Sequence, residues 1–318
     1  MFLRFGRIIG AAWLMPAAAF AAQPVLAAKD VPKPVPVVQD YKPKPGLWLL
    51  ADEDTKIYLF GTIHMLPPGF KWRSPAFDKV AAEADELVVE TASDADGSLD
   101  AAMLIAILLK EPVPILERVP ADKRPALKAA IEKGNVPLQA MSMIRTWMVA
   151  VTLGLADSLD GWGVEDSDEA PGVEDVLEAE FRAAKKPIGS VESPQAALDA
   201  FNAMPEFEQR AMLLDTIAAL GEDEDEAEAA EAEDDNADDH LWAKGRFDEA
   251  YAIYMKDFPP LLYDGLVRKR NAAWTLWLAE RLKKPGTVLF AVGAAHLAGP
   301  DSVQAMLAKN GLQAKRVN

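Results

Sequence analysis

The chain has 318 residues, half of them hydrophobic, no cysteine, and a formal net charge of -17. Its length lies near the upper limit of what one hydrophobic core supports, so one large domain fits better than a string of modules. The lack of cysteine excludes disulfides, thiolate metal sites, a cysteine nucleophile and a cysteine lipid anchor. The negative charge argues against nucleic acid or anionic lipid surfaces as partners.

Arg4 and Arg7 precede an apolar run from Ile8 to Phe20, with small residues at Ala19 and Ala21 and again at Ala27 and Ala28. This order predicts a secretory signal peptide over residues 1–27, cut near 21 or 27, and so an exported protein, periplasmic or extracellular. The run is shorter than the roughly 20 apolar residues of a membrane span, and no later segment is long enough to be one. Residues 28–45 follow, where Pro32, Pro34, Pro36, Pro43 and Pro45 predict an extended, poorly packed tether, with the folded domain over 46–318.

Trp48 to Ala51 and Lys56 to Phe60 predict two strands around the turn Asp52-Glu53-Asp54, delivering Gly61 at a strand exit. Ala76 to Ala84 reads as a helix and Glu86 to Glu90 as a compact strand. Apolar periodicity then predicts helices over Ala101 to Lys110, Pro120 to Lys133 and Leu138 to Leu155, and Pro187 to Val191 is a short strand candidate. Glu222 to Asp239 holds twelve acidic residues and no basic ones, a composition that predicts a solvated, mobile insertion outside the core. The pattern is helical again from His240 to Leu282 and stops at Lys283-Lys284-Pro285-Gly286. Thr287 to Val292 reads as a buried central strand, Ser302 to Lys309 as a helix and Leu312 to Val317 as an edge strand.

The two ends share a weak repeat. Ile57-Tyr58-Leu59-Phe60-Gly61-Thr62-Ile63-His64 and Leu289-Phe290-Ala291-Val292-Gly293-Ala294-Ala295-His296 each run an apolar strand into Gly-x-x-His, with proline four residues on. Open α/β sheets bind ligands beyond the carboxyl ends of their strands, and two of the three histidines stand at such positions. Glycine at the exit allows a sharp turn or a close backbone approach, so Gly61 and Gly293 are read as substrate-binding or structural residues of one shared site.

Paired histidines mean metal binding or proton transfer, and either needs a carboxylate. Glu90 ends its strand at the matching sheet edge and is the first candidate; Glu192 ends Ile188 to Val191 in the same way and is the second. Arg268-Lys269-Arg270-Asn271 adds a guanidinium fork and an amide, suited to holding a carboxylate or a developing oxyanion. His240, beside the acidic run, has no matching context.

The constellation of Gly61-Thr62-Ile63-His64, the strand ending in Glu90, Gly172-Val173-Glu174-Asp175, Arg270-Asn271 and Val292-Gly293-Ala294-Ala295-His296 resembles the TraB/GumN family, related to the Tiki proteins, over nearly the whole length after residue 45. The resemblance implies a mixed α/β fold of two similar halves, with the histidines and the glutamate converging at its centre. It also implies a metal-dependent peptidase activity of the Tiki kind, with manganese or cobalt as the metal.

The first expectation is therefore an exported metal-dependent hydrolase acting on a peptide or protein. His64, Glu90 and His296 would be ligands of a divalent ion (Mn, Co or Zn), with Glu90, Arg270 and Asn271 in catalytic roles. The His-Glu-x-x-His zinc helix is absent. A metal-free hydrolase using one histidine as base and the other as acid is a second reading, and a binding protein for peptide or glycan is a third.

Overall fold

The apolar runs from the two ends of the chain meet at the centre of one sheet. In a computed structural model, residues 37–92, 105–134, 136–164, 169–221, 236–256 and 258–318 are described; the predicted signal peptide lies outside them. The strands are β1 (Leu47–Ala51), β2 (Thr55–Thr62), β3 (Glu86–Val89), β4 (Ile188–Ser190), β5 (Gly286–Gly293) and β6 (Lys315–Arg316). Their order is β4-β3-β5-β2-β1-β6. β2, β5, β3 and β4 run parallel, and β1 runs antiparallel to both β2 and β6. This is the mixed α/β sheet flanked by helices that the family resemblance implies.

β2 and β5 are direct neighbours, with Gly61 opposite Val292 and Thr62 opposite Gly293, so the two Gly-x-x-His motifs lie side by side with a one-residue stagger. Their likeness extends a little further. β2 leads through an irregular stretch to helix α1 (Pro75–Glu83), capped by Ser74, and β5 leads through a 3₁₀ turn (Ala294–Leu297) to a helix over Val303–Lys309, capped by Ser302. In each cap the serine oxygen accepts the N–H three residues on, satisfying a helix-end donor.

The remaining helices are α2 (Arg124–Lys133), α3 (Leu138–Met143), α4 (Thr146–Trp162), α5 (Val173–Ala183), α6 (Gln195–Asn202), α7 (Glu206–Leu220), α8 (Ala237–Ala243), α9 (Phe247–Tyr254), α10 (Pro260–Tyr263) and α11 (Arg270–Arg281); Val303–Lys309 is α12. Several predicted boundaries move. The helix expected over Leu138 to Leu155 is two, broken where Ile144 bridges to Leu108, and its second part runs on to a left-handed Gly163. That bridge also ends the helix expected over Ala101 to Lys110 at Ile107, its residues 101–104 lying outside the described ones. His240 to Leu282 is divided by Gly245 (φ 76°) and by Pro259-Pro260, with a π-helical turn (Asp264–Lys269) before α11.

Two expectations about packing are corrected. Of the presumed tether, Val37 onward lies against the domain. Gln39 binds the backbone of Lys71 on both its amide atoms, Tyr41 bonds His240 Nδ1 at 2.5 Å, and the N–H of Lys44 donates to Ala243. The end of the acidic run is likewise not a solvated insertion, because α8 carries Asp238 and Asp239 into buried positions. Composition alone misses this because α8 also brings Trp242, whose indole N–H donates to the Gly61 carbonyl and docks the helix on β2. Residues 222–235 lie outside the described ones.

Away from the sheet edge, buried Arg118 ties the helical layer together. Its guanidinium donates to the carbonyls of Val113, Ser142 and Ile144 and to Thr146 Oγ1, at 2.7–3.3 Å. Replacement by methionine strands those acceptors, so Arg118→Met is expected to lower stability by about 3 kcal/mol, read as a lower denaturant midpoint at unchanged slope.

Candidate active site

Six side chains picked from sequence stand beyond the carboxyl ends of β2, β3, β4 and β5. Five of them are deeply buried, His296 and Asn271 being 0 % exposed, Glu90 3 % and His64 and Arg270 5 %, and Glu192 is partly buried. Such burial of charge is tolerated only where partners compensate it.

Arg270 supplies most of that compensation. Its Nη2 donates to Glu90 Oε2 and to Glu192 Oε1, each at 2.5 Å, and its Nε reaches both oxygens of Glu192 at 2.9 and 3.1 Å. Nη1 donates to the Leu266 carbonyl at 3.1 Å and lies 3.3 Å from His296 Nε2. The other Glu90 oxygen accepts the Gly293 N–H at 2.8 Å, which is the use the strand-exit glycine finds here. Gly61 works through its lack of a side chain, since a Cβ would meet the Phe247 ring at 2.7 Å and Ala294 Cα at 3.0 Å.

Asn271 fixes the tautomer of His296. Its Nδ2 donates to the carbonyls of Asp301 (2.8 Å) and His296 (3.3 Å), leaving Oδ1 to face His296 Nδ1 at 2.6 Å. An amide oxygen can only accept, so Nδ1 carries the proton and the lone pair stands on Nε2, toward Arg270 and toward Glu90 Oε1 at 3.6 Å.

His64 is held by a residue that sequence reasoning left without a role. Its Nδ1 lies 3.0 Å from Glu174 Oε1, and the Thr62 hydroxyl donates to the same oxygen. Glu174 stands in the first turn of α5, whose capping glycine, Gly172, sits against the His64 backbone, and the Val173 N–H donates to Ile63 at 2.9 Å. The signal was the Gly172-Val173-Glu174-Asp175 stretch itself, a carboxylate placed just inside a helix start. His64 Nε2 and Glu174 Oε2 are buried with no hydrogen-bond partner.

The charges sort accordingly. Burial opposes ionisation of Glu90, yet the charges of Arg270, His296 and His64 and the Gly293 N–H outweigh it and hold its pKa down to about 2. Burial also opposes a charged His64, but Glu174, by charge and hydrogen bond, with Glu90 and Asp175, lifts it to about 9. For His296 burial wins: it lowers the pKa, Glu90 resists, Arg270 and His64 add to the fall, and the ring is neutral with a pKa of about 3. Glu192 is raised, because burial outweighs the attraction of Arg270.

Each imidazole thus has Nδ1 tied to an oxygen acceptor, while Nε2 of His64 is buried without a partner and Nε2 of His296 faces Arg270 Nη1 at 3.3 Å. This outer arrangement orients a histidine to bind a metal through Nε2, which for His64 first requires loss of its proton. With an ionised Glu90, this donor chemistry fits a divalent first-row ion. Among the described residues no three His, Asp or Glu side chains are already gathered as ligands, and Arg270 stands on one Glu90 oxygen.

The chain belongs to the TraB/PrgY/gumN family, whose model matches residues 46–316. No curated protein and no solved structure matches it.

Proposed function

We propose that the chain is a metal-dependent hydrolase, a peptidase of the Tiki kind, with His64, His296 and Glu90 holding the ion. The observation that carries this reading is that Nδ1 of each imidazole is tied to an oxygen acceptor, Glu174 for His64 and Asn271 for His296, which leaves Nε2 as the ligating nitrogen of each ring. When bound, such a metal polarises a carbonyl and lowers the pKa of a water. The chain's own residues do the rest. Glu174 and Asn271 hold the rings, Gly293 fixes one Glu90 oxygen, and Arg270 sets a fixed positive charge beside Glu90 that would favour charge developing there. Export to the periplasm or beyond, argued from residues 1–27, belongs to the same proposal.

The test is elemental analysis of the purified chain after exposure to manganese, cobalt or zinc, with cleavage of a peptide library. Wild type is expected to retain about one equivalent of metal and to cleave, and His64→Ala and His296→Ala to lose both. A wild-type chain that retains no metal sinks the reading.

The opposite surroundings of the two rings favour a second reading. His64 pairs with a carboxylate and His296 lies beside a guanidinium, which suits one to give a proton and the other to take it. Hydrolysis that persists with chelator present and disappears in either histidine variant would select it. Retention of a peptide without cleavage would select a binding protein.

A further inference from the structure

Arg270 is held from three directions that do not involve Glu90. Glu192 grips the Nε edge with both oxygens. The Trp274 indole N–H donates to Glu192 Oε2 at 2.8 Å, and the Trp274 ring lies 4.8 Å from the guanidinium and 4.4 Å from the His296 ring. The third hold comes from the π-helical turn. The Arg270 N–H donates to Val267, so the Leu266 carbonyl, which regular α-helical spacing would assign to that N–H, accepts Arg270 Nη1 instead. Glu90 makes a single contact with the guanidinium, through Nη2, which it shares with Glu192.

This asymmetry matters because Glu90 lies beside His296 and acts on the charge of both histidines, and a carboxylate wholly taken up by arginine is a poor ligand and a poor base. A guanidinium anchored elsewhere can neutralise buried charge and still yield Glu90 Oε2. We propose that Glu192, braced by Trp274, is a positioning residue that keeps Arg270 as a resident cation and so leaves Glu90 free for chemistry. The inference rests on the reading of Glu90 as a ligand or base given above. It assigns Glu192 a role through Arg270 rather than through substrate.

The test uses the full chain with Glu192→Gln, Glu192→Asp and Trp274→Phe. Manganese binding is followed by calorimetry, and the Arg270 side-chain Nε–H by NMR on 15N-labelled protein, its signal assigned by loss in Arg270→Lys. Glu192→Gln is expected to weaken manganese binding by roughly 10–100-fold, the scale of losses on removing outer-shell partners, at a nearly unchanged melting temperature. Glu192→Asp recovers most of the loss, and Trp274→Phe falls between. A variant that binds manganese as wild type does, or loses affinity only as it loses its fold, overturns the proposal. The Nε–H signal separates this failure from failure of the metal reading. It should be protected in wild type and in Glu90→Gln and lost in Glu192→Gln, whether or not metal binds; dependence on Glu90 instead overturns the cradle.

Discussion

Replacing Arg270 by alanine is expected to destabilise the folded chain by about 3–5 kcal/mol, because it leaves the Glu90 and Glu192 carboxylates buried beside one another without their shared cation. For a domain of this size that corresponds to a fall in melting temperature of roughly 6–20 °C. The same argument predicts marked non-additivity. Arg270→Met combined with Glu90→Gln and Glu192→Gln removes all three charges and should be more stable than Arg270→Ala alone. Thermal unfolding of both variants decides it, and a triple variant less stable than the single one would show that the cluster stabilises by its charges and not merely tolerates them.

Gly172→Ala is expected to be nearly as damaging, although it adds only a methyl group. A Cβ there would lie 2.6 Å from the His64 carbonyl carbon, and closer still to its oxygen, and neither is a side chain that can swing away. The start of α5 must retreat, straining the Val173 to Ile63 hydrogen bond and drawing Glu174 from His64. A loss of about 3 kcal/mol is expected, within the range for overpacked cores. On the peptidase reading proposed above, cleavage should fall further than stability explains, because His64 loses the acceptor that orients it. Circular dichroism melts beside peptide cleavage rates check both; wild-type rates in a folded Gly172→Ala chain would remove Glu174 from the site.

Much of the site was legible because its residues sit at strand exits, where a short apolar run ending in glycine or glutamate announces both the strand and the edge. His64, Glu90, Glu192 and His296 were found in this way, and Arg270 and Asn271 by their donor chemistry. Glu174 is not legible as a site residue in this way, because it opens a helix rather than closing a strand, and a glutamate in a first helical turn is ordinarily explained by the helix dipole. The segmentation of the helical regions failed for a different reason. Periodicity continues through Ile144, where the tertiary bridge to Leu108 interrupts it; His240 to Leu282 is interrupted by the left-handed turn at Gly245 and by Pro259-Pro260, breakers present in the sequence but outweighed there by the apolar repeat. Asp238 and Asp239 were misplaced because twelve acidic residues in a row of eighteen dominate a composition, while the two that enter the core obey the helix they share with Trp242.

The strand order carries a consequence for how the chain comes together. β5, which begins at residue 286 of 318, separates the β1–β2 hairpin from the β3–β4 pair. Until it is made, the earlier strands have no common neighbour, so a chain emerging from its N-terminus holds two fragments of sheet with open edges. β5, which follows the other four parallel and hairpin strands in the chain, therefore acts as the keystone. Its insertion joins the halves of the sheet and, in the same step, brings His296 and the Gly293 N–H to Glu90, so acquisition of the fold and of the reactive cluster is one late event.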